Sequence, residues 1–226
     1  MTRFTPLEQR KVAVGVDLGQ SKDPTSLAVV ERIRQVVPDY LVEQLQQRGQ
    51  RGREQLAEMK SELAPERFNL RLLEQAPLGE PYPVQAQRVN RILARESIAV
   101  HEPRVFVDYT GVGRAVFDIF RAERVPRIVP ITITFQGGSG NSVPKLDLVS
   151  RLQALMHTGA LHMPDTLPLA KIFRRELLDF RVSYTPVGNA TFGAREGAHD
   201  DLILAVALAV YGLTRPEMMV EPLRFG

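Results

Sequence analysis

The sequence predicts an α/β domain: a mixed central sheet flanked by helices, with a helical insertion near residues 38–66. Three observations lead there. Two β-type apolar runs near the N-terminus, Lys11 to Val16 and Thr25 to Ile33, are followed by segments that alternate between strand-like and helix-like periodicity. The run Leu202 to Leu213 is uncharged and almost wholly apolar, which marks a helix covered on every side rather than one with a wet face. The chain has 226 residues, 44% hydrophobic and 24% charged, enough for one substantial core, and no linker long enough to divide it is visible. One domain over 1–226 is expected, with flexible tails at 1–10 and 216–226.

The elements read in order as follows. Lys11 to Val16 becomes continuously apolar, as a strand buried on both faces does, and the turn-prone Gln20-Ser21-Lys22-Asp23-Pro24 joins it to a second strand as an antiparallel hairpin. Pro38 to Glu66 breaks this pattern. Its Gln44 to Arg53 stretch is rich in Gln, Arg and Gly and reads as mobile, and Glu54 to Leu63 favours helix. Phe68 to Leu73 alternates as a third strand. A helix is expected over Val84 to Arg95, a short buried strand over Val105 to Val107, and a helix over Arg114 to Arg124. Ile128 to Phe135 reads as a strand. Beyond the Gly-rich Gln136 to Asn141 come a helix over Lys145 to His157, a short edge strand at Leu161-His162-Met163, and a helix over Leu167 to Phe180. A hairpin over Val182 to Ala194 and the apolar helix Asp200 to Tyr211 complete the chain.

Composition limits the chemistry. The chain has no cysteine, so disulfides and thiolate metal sites are excluded and any metal is held by oxygen or imidazole. A net charge of +3 neither requires nor excludes a polyanionic partner. Met1 to Arg10 lacks an apolar signal region, and the longest apolar run is too short for a bilayer, so a soluble, cytoplasmic protein without a membrane partner is expected.

The residues with chemical promise are acidic and far apart in the chain. Asp17 closes the first apolar run, Asp108 closes Val105-Phe106-Val107, and His199-Asp200-Asp201 opens the apolar helix. Taken singly, each has an ordinary structural reading. Asp17 suits a turn, Asp108 a glycine-rich helix entry, and either tandem aspartate a helix cap. Together they sit at strand ends and a helix start, where a fold presents side chains on a rigid frame. Carboxylates gathered there repel one another unless cations lie between them, and two cations held by shared carboxylates are well suited to cutting phosphodiesters. Arg48, Arg51 and Arg53 in the insertion read either as a solvated face or as a nucleic-acid contact.

These residues resemble a known family. Gly15-Val16-Asp17-Leu18-Gly19 with Asp23-Pro24-Thr25-Ser26-Leu27-Ala28-Val29-Val30, then Val107-Asp108-Tyr109-Thr110-Gly111-Val112-Gly113, Val143-Pro144-Lys145 and Gly197-Ala198-His199-Asp200-Asp201-Leu202, are similar to the nuclease domain of the phage terminase large subunit. That domain belongs to the RNase H-like, retroviral-integrase-like superfamily. The motifs span about residues 12–213 in the family's order.

The resemblance implies an RNase H-like sheet with Asp17 on its first, central strand and Asp108 at the end of its fourth. Asp201, with Asp200 beside it, would come from the helix under the sheet, the direct ligand of the two staying open. Together these four would hold two Mg²⁺ or Mn²⁺ ions for endonucleolytic cleavage of double-stranded DNA in viral genome packaging. Lys145 stands in the family's Pro-Lys position before a helix and reads either as a lysine that approaches a phosphate or as an ordinary exposed one, and His199 is placed beside the site by adjacency. The implied partners are DNA, a packaging ATPase motor, the terminase small subunit and the portal, in the host cytoplasm. The chain carries no Gly-x-x-x-x-Gly-Lys-Ser/Thr phosphate loop, so the expectation is either an excised domain or a separately encoded nuclease half, which does not translocate DNA unaided. The insertion is larger than the family leads one to expect, and regulation of access or docking of a partner are the roles considered for it. The rival readings are a Holliday-junction resolvase-like nuclease, a non-catalytic packaging module of the same fold, and a sugar-kinase or actin-like ATPase, which needs two such domains.

Overall fold

A computed structural model describes residues 4–19, 23–111, 113–135, 140–184, 190–194 and 200–215. The sheet is built outward from the long pair β1 (Leu7–Asp17) and β2 (Ser26–Val36), antiparallel with Leu7 opposite Val36 and Asp17 opposite Ser26. After β2 the chain makes two helices, α1 (Asp39–Gln46) and α2 (Gly49–Ser61), and returns as β3 (Arg67–Gln75), antiparallel to β2. Then follow α3 (Tyr82–Leu93), the single turn α4 (Glu96–Ala99), β4 (Arg104–Asp108), α5 (Gly113–Ala122), β5 (Ile128–Thr134) and β6 (Ser142–Pro144). The last part is α6 (Lys145–His157), β7 (Leu161–His162), α7 (Ala170–Asp179), the hairpin β8 (Phe180–Tyr184) and β9 (Ala190–Ala194), and α8 (Asp201–Thr214).

Seven strands form one mixed sheet in the order β6-β5-β4-β1-β2-β3-β7, and β8 pairs with β9 apart from it. β4 lies parallel to β1, with Val16 opposite Val107, so both strands stop at the same end of the sheet. This is the mixed sheet between helices that the sequence predicts.

The strands' period of two sorts their side chains into two cores. Val12, Val14 and Val16 of β1 and Val105 and Val107 of β4 face α3, α4 and α5, where Val89, Ile92 and Phe120 complete the layer. Ala13 and Phe106 face the other way, toward α6, α7 and α8. α8 lies between the sheet and the helices α6 and α7, which explains its apolar composition: from Leu202 to Tyr211 every residue is buried. It approaches β1 so closely that a Cβ on Gly15 would stand 1.9 Å from the Ala205 carbonyl oxygen. Among the described residues no helix is long and apolar enough to cross a membrane.

Four details differ from the sequence reading. β1 begins at Leu7, so residues 7–10 belong to the sheet rather than to a tail. The Gln44 to Arg53 stretch is helical apart from the turn at Gln47 and Arg48, because Leu45, Leu56 and Met59 bury against Val37 and form a small core of their own. The approach of α1 to α2 is tight at Gly52, where a Cβ would stand 1.8 Å from the Leu45 carbonyl oxygen. The helix expected from Leu167 begins at Ala170, and Phe180 already opens β8. β6 was not foreseen: three residues at a sheet edge are too few to show a period.

Candidate active site

Asp17 is the last residue of β1 and Asp108 the last of β4, adjacent parallel strands in register. Alternation places Asp17 on the face of Ala13 and Gly15, and Asp108 on the face of Phe106, so both lie on the side covered by α8. α8 runs antiparallel to β1: Ala205 lies over Gly15, whereas the Leu213 carbonyl is held by Arg32, which pairs with Lys11 nearer the start of β1. Its N-terminus therefore lies at the strand ends, bringing Asp200 and Asp201 to the same place as the other two carboxylates.

The electrostatics follow from that placement. Asp17 is only 9% exposed. Burial first, and then the charges of Asp108, Asp201 and Asp200, hold its carboxyl well above the usual range, with Lys145 opposing. Burial also raises Asp108, against the Thr110 hydrogen bonds and the Lys145 charge. The Thr110 backbone N–H donates to Asp108 Oδ1 at 2.8 Å and fixes that carboxylate at the turn. Lys145, first residue of α6, donates from Nζ to Asp200 Oδ2 at 2.8 Å, so the sequence-predicted lysine is inside the cluster.

The loop after Asp17 is tied from below. Thr25 Oγ1 accepts the Gly19 backbone N–H at 2.9 Å and donates to Gln85 Oε1 at 2.8 Å. Gln85, 3% exposed on the core side of α3, donates in turn to the Glu80 carbonyl at 2.7 Å.

One participant escaped the sequence reading. Glu176 of α7 is buried, and its Oε2 accepts the backbone N–H groups of Leu202 at 3.1 Å and Ile203 at 3.2 Å. It thus satisfies two of the free donors at the start of α8, which the Asp200 side chain does not cap. Burial pushes the Glu176 carboxyl up to about 7; the Ile203 N–H opposes this, and the nearby Asp201 charge adds to it. The available signal was a glutamate on the buried stripe of a helix, with Ala170 and Phe173.

The other sequence candidates lie elsewhere. Arg48, Arg51 and Arg53 are exposed on a hairpin that follows the far end of β2, where Val36 pairs with Leu7, so the fold does not bring them to the carboxylates. His199 lies outside the described residues.

The donor set suits hard divalent cations: several carboxylates on rigid element ends, mutually destabilised while they carry charge, with no soft ligand available. Among the described residues no three such groups stand close enough together, as placed here, to hold a metal ion.

No protein-family model matches the chain, and no curated protein matches it. Solved structures do. The large terminase nuclease from thermophilic phage G20c with bound magnesium superposes with a TM-score of 0.60 at 21% identity, over 89% of this chain and 80% of that one. The same nuclease with bound cobalt gives 0.59 at 21% identity over the same shares. The Thermus phage P74-26 large terminase nuclease domain gives 0.57 at 19% identity, over 94% of this chain and 84% of that one. The fold is therefore the RNase H-like fold of these nuclease domains.

Proposed function

We propose that the chain is a metal-dependent endonuclease that cuts double-stranded DNA, serving as the nuclease part of a terminase large subunit in viral genome packaging. One observation carries this reading: Asp17 and Asp108 end adjacent parallel strands on the face where the start of α8 presents Asp200 and Asp201. The likeness to nucleases that carry magnesium or cobalt supports it.

In this reading Asp17, Asp108 and the tandem aspartates hold two Mg²⁺ or Mn²⁺ ions. The chemistry such ions supply is activation of a water for in-line attack on phosphorus and neutralisation of charge on the leaving 3′ oxygen. The protein's own part is positional and electrostatic. β1 and β4 fix two carboxylates on a rigid edge, and Thr110 holds Asp108 in one orientation. Glu176 anchors the start of α8, and with it the backbone that carries Asp200 and Asp201. Lys145 offsets the crowded negative charge and places a cation where a phosphate must approach. Lys145 engages Asp200, and either of the tandem aspartates can serve as the direct ligand. A packaging motor, the small subunit and the portal are the partners this role requires, in the host cytoplasm.

The test is cleavage of supercoiled plasmid with Mn²⁺, Mg²⁺ or EDTA, using wild type, Asp17→Asn and Asp108→Asn. Metal-dependent nicking and linearisation that falls at least about 100-fold in both variants is expected, since the site acts as a unit. Cutting by either variant at the wild-type rate removes that residue from the site.

A further inference from the structure

The opposite end of the sheet has the opposite charge. α8 covers its face of β1, β2 and β4 only as far as Thr214, and the strands run on past it. The side chains they present there change from apolar to cationic. Ala13 gives way to Lys11, Val30 to Arg32 and Arg34, and Phe106 to Arg104. With Arg127 and Arg215 these residues line a basin of about 780 Å³, a volume suited to a nucleotide-sized ligand.

Some of these cations are matched within the fold. Arg32 pairs with Glu66 and donates to the Leu213 carbonyl at 2.7 Å. Arg34 donates to Gln9 Oε1, and Arg127 pairs with Glu102 at 2.9 Å. Arg104 and Arg215 differ: among the described residues neither has an ion-pair partner. Nε and Nη1 of Arg215 are buried without hydrogen bonds, and its guanidinium lies 5.0 Å from the centre of the Tyr211 ring. Arg151 lies 5.3 Å from the same ring, and its charge, with that of Arg104, repels Arg215. Burial followed by these neighbours lowers Arg215 from the usual guanidinium value, with Tyr211 opposing. Buried, unpaired guanidinium donors on Arg215, with the half-buried Arg104 lining the same basin, call for a multivalent anion, and the guanidinium fork matches phosphate oxygens in pairs.

We propose that this basin is a second anion site, remote from the carboxylates, in which Arg104 and Arg215 bind phosphate groups. The phosphates come either from the backbone of a DNA strand or from a free polyphosphate such as a nucleotide, and the same chemistry serves both.

The test uses the full chain in EDTA at low salt, so that it does not depend on cleavage. Inorganic pyrophosphate and a short DNA duplex are titrated separately by calorimetry into wild type, Arg104→Gln, Arg215→Gln and, as a control outside the basin, Arg91→Gln on the exposed side of α3. Circular dichroism confirms folding of each, and Arg104, half-exposed at a strand start, tolerates substitution if Arg215 does not. At least one ligand is expected to bind wild type and Arg91→Gln equally and to lose about tenfold or more in the basin variants, the worth of one charged hydrogen bond. Loss of pyrophosphate binding alone assigns a free polyphosphate, and loss of duplex binding assigns DNA. The proposal is overturned if neither ligand binds wild type, or if the folded basin variants bind both ligands as wild type does.

Discussion

Glu176 sits 24 residues before Asp200 in the chain, yet it holds the backbone on which the tandem aspartates are mounted. Removing its carboxylate leaves two buried N–H donors without an acceptor. Glu176→Ala should therefore cost about 1–2 kcal/mol in urea denaturation, the usual worth of a lost helix cap, whereas Glu176→Gln keeps an acceptor and should cost less. If the proposed nuclease reading holds, Glu176→Ala should also raise the metal concentration that gives half-maximal cleavage. Equal loss in the two variants would mean that packing at this position matters and the cap does not. The sequence could not reveal this residue's role, because its partners are backbone groups of a distant helix and carry no side-chain signature. Asp17 and Asp108 were legible for the opposite reason: each follows a run of buried alternation, and the alternation itself settles which face the carboxylate takes.

At the scale of the element, α8 decides the geometry. Its apolar sequence was readable as a fully covered helix, and its direction follows from Ala205 over Gly15 and the Leu213 carbonyl on Arg32, opposite Lys11. The contact at Gly15 sets its height above β1. Gly15→Ala would drive a methyl group into the Ala205 carbonyl, rigid backbone on both sides, and should destabilise the protein by about 3 kcal/mol, at the upper end for overpacking. Cleavage should fall with it, as α8 is lifted away from the strand ends. A urea midpoint unchanged by this substitution would show that the helix can slide without cost. The insertion was harder to read, since its polar Gln- and Arg-rich stretch becomes helical only by burying a few side chains, Leu45, Leu56 and Met59. Tertiary contacts outweighed composition there.

Over the whole molecule, the crowded carboxylates make stability depend on pH. A carboxyl whose pKa is raised by folding keeps its proton longer in the folded chain than in the unfolded one. Stability therefore falls as pH rises from the unfolded value through the folded value. For Glu176 that window runs from 4.5 to about 7, and for Asp17 it begins at 3.8 and extends well above it. In EDTA the melting temperature should decline as pH rises from 4.5 to about 7, and Asp17→Asn should flatten the decline. Millimolar Mn²⁺ should raise the melting temperature most at the alkaline end, where the carboxylates carry charge. A profile flat in EDTA and indifferent to Mn²⁺ would mean that the four aspartates do not interact.

β1 starts and α8 stops at the same edge of the sheet: Arg32, paired with Lys11 across the strands, also holds the Leu213 carbonyl. The described chain thus comes in and goes out through one door, and the acidic mouth opens at the other, roughly 30 Å away along β1. A label or immobilising handle attached at Leu7 would therefore stand clear of that mouth.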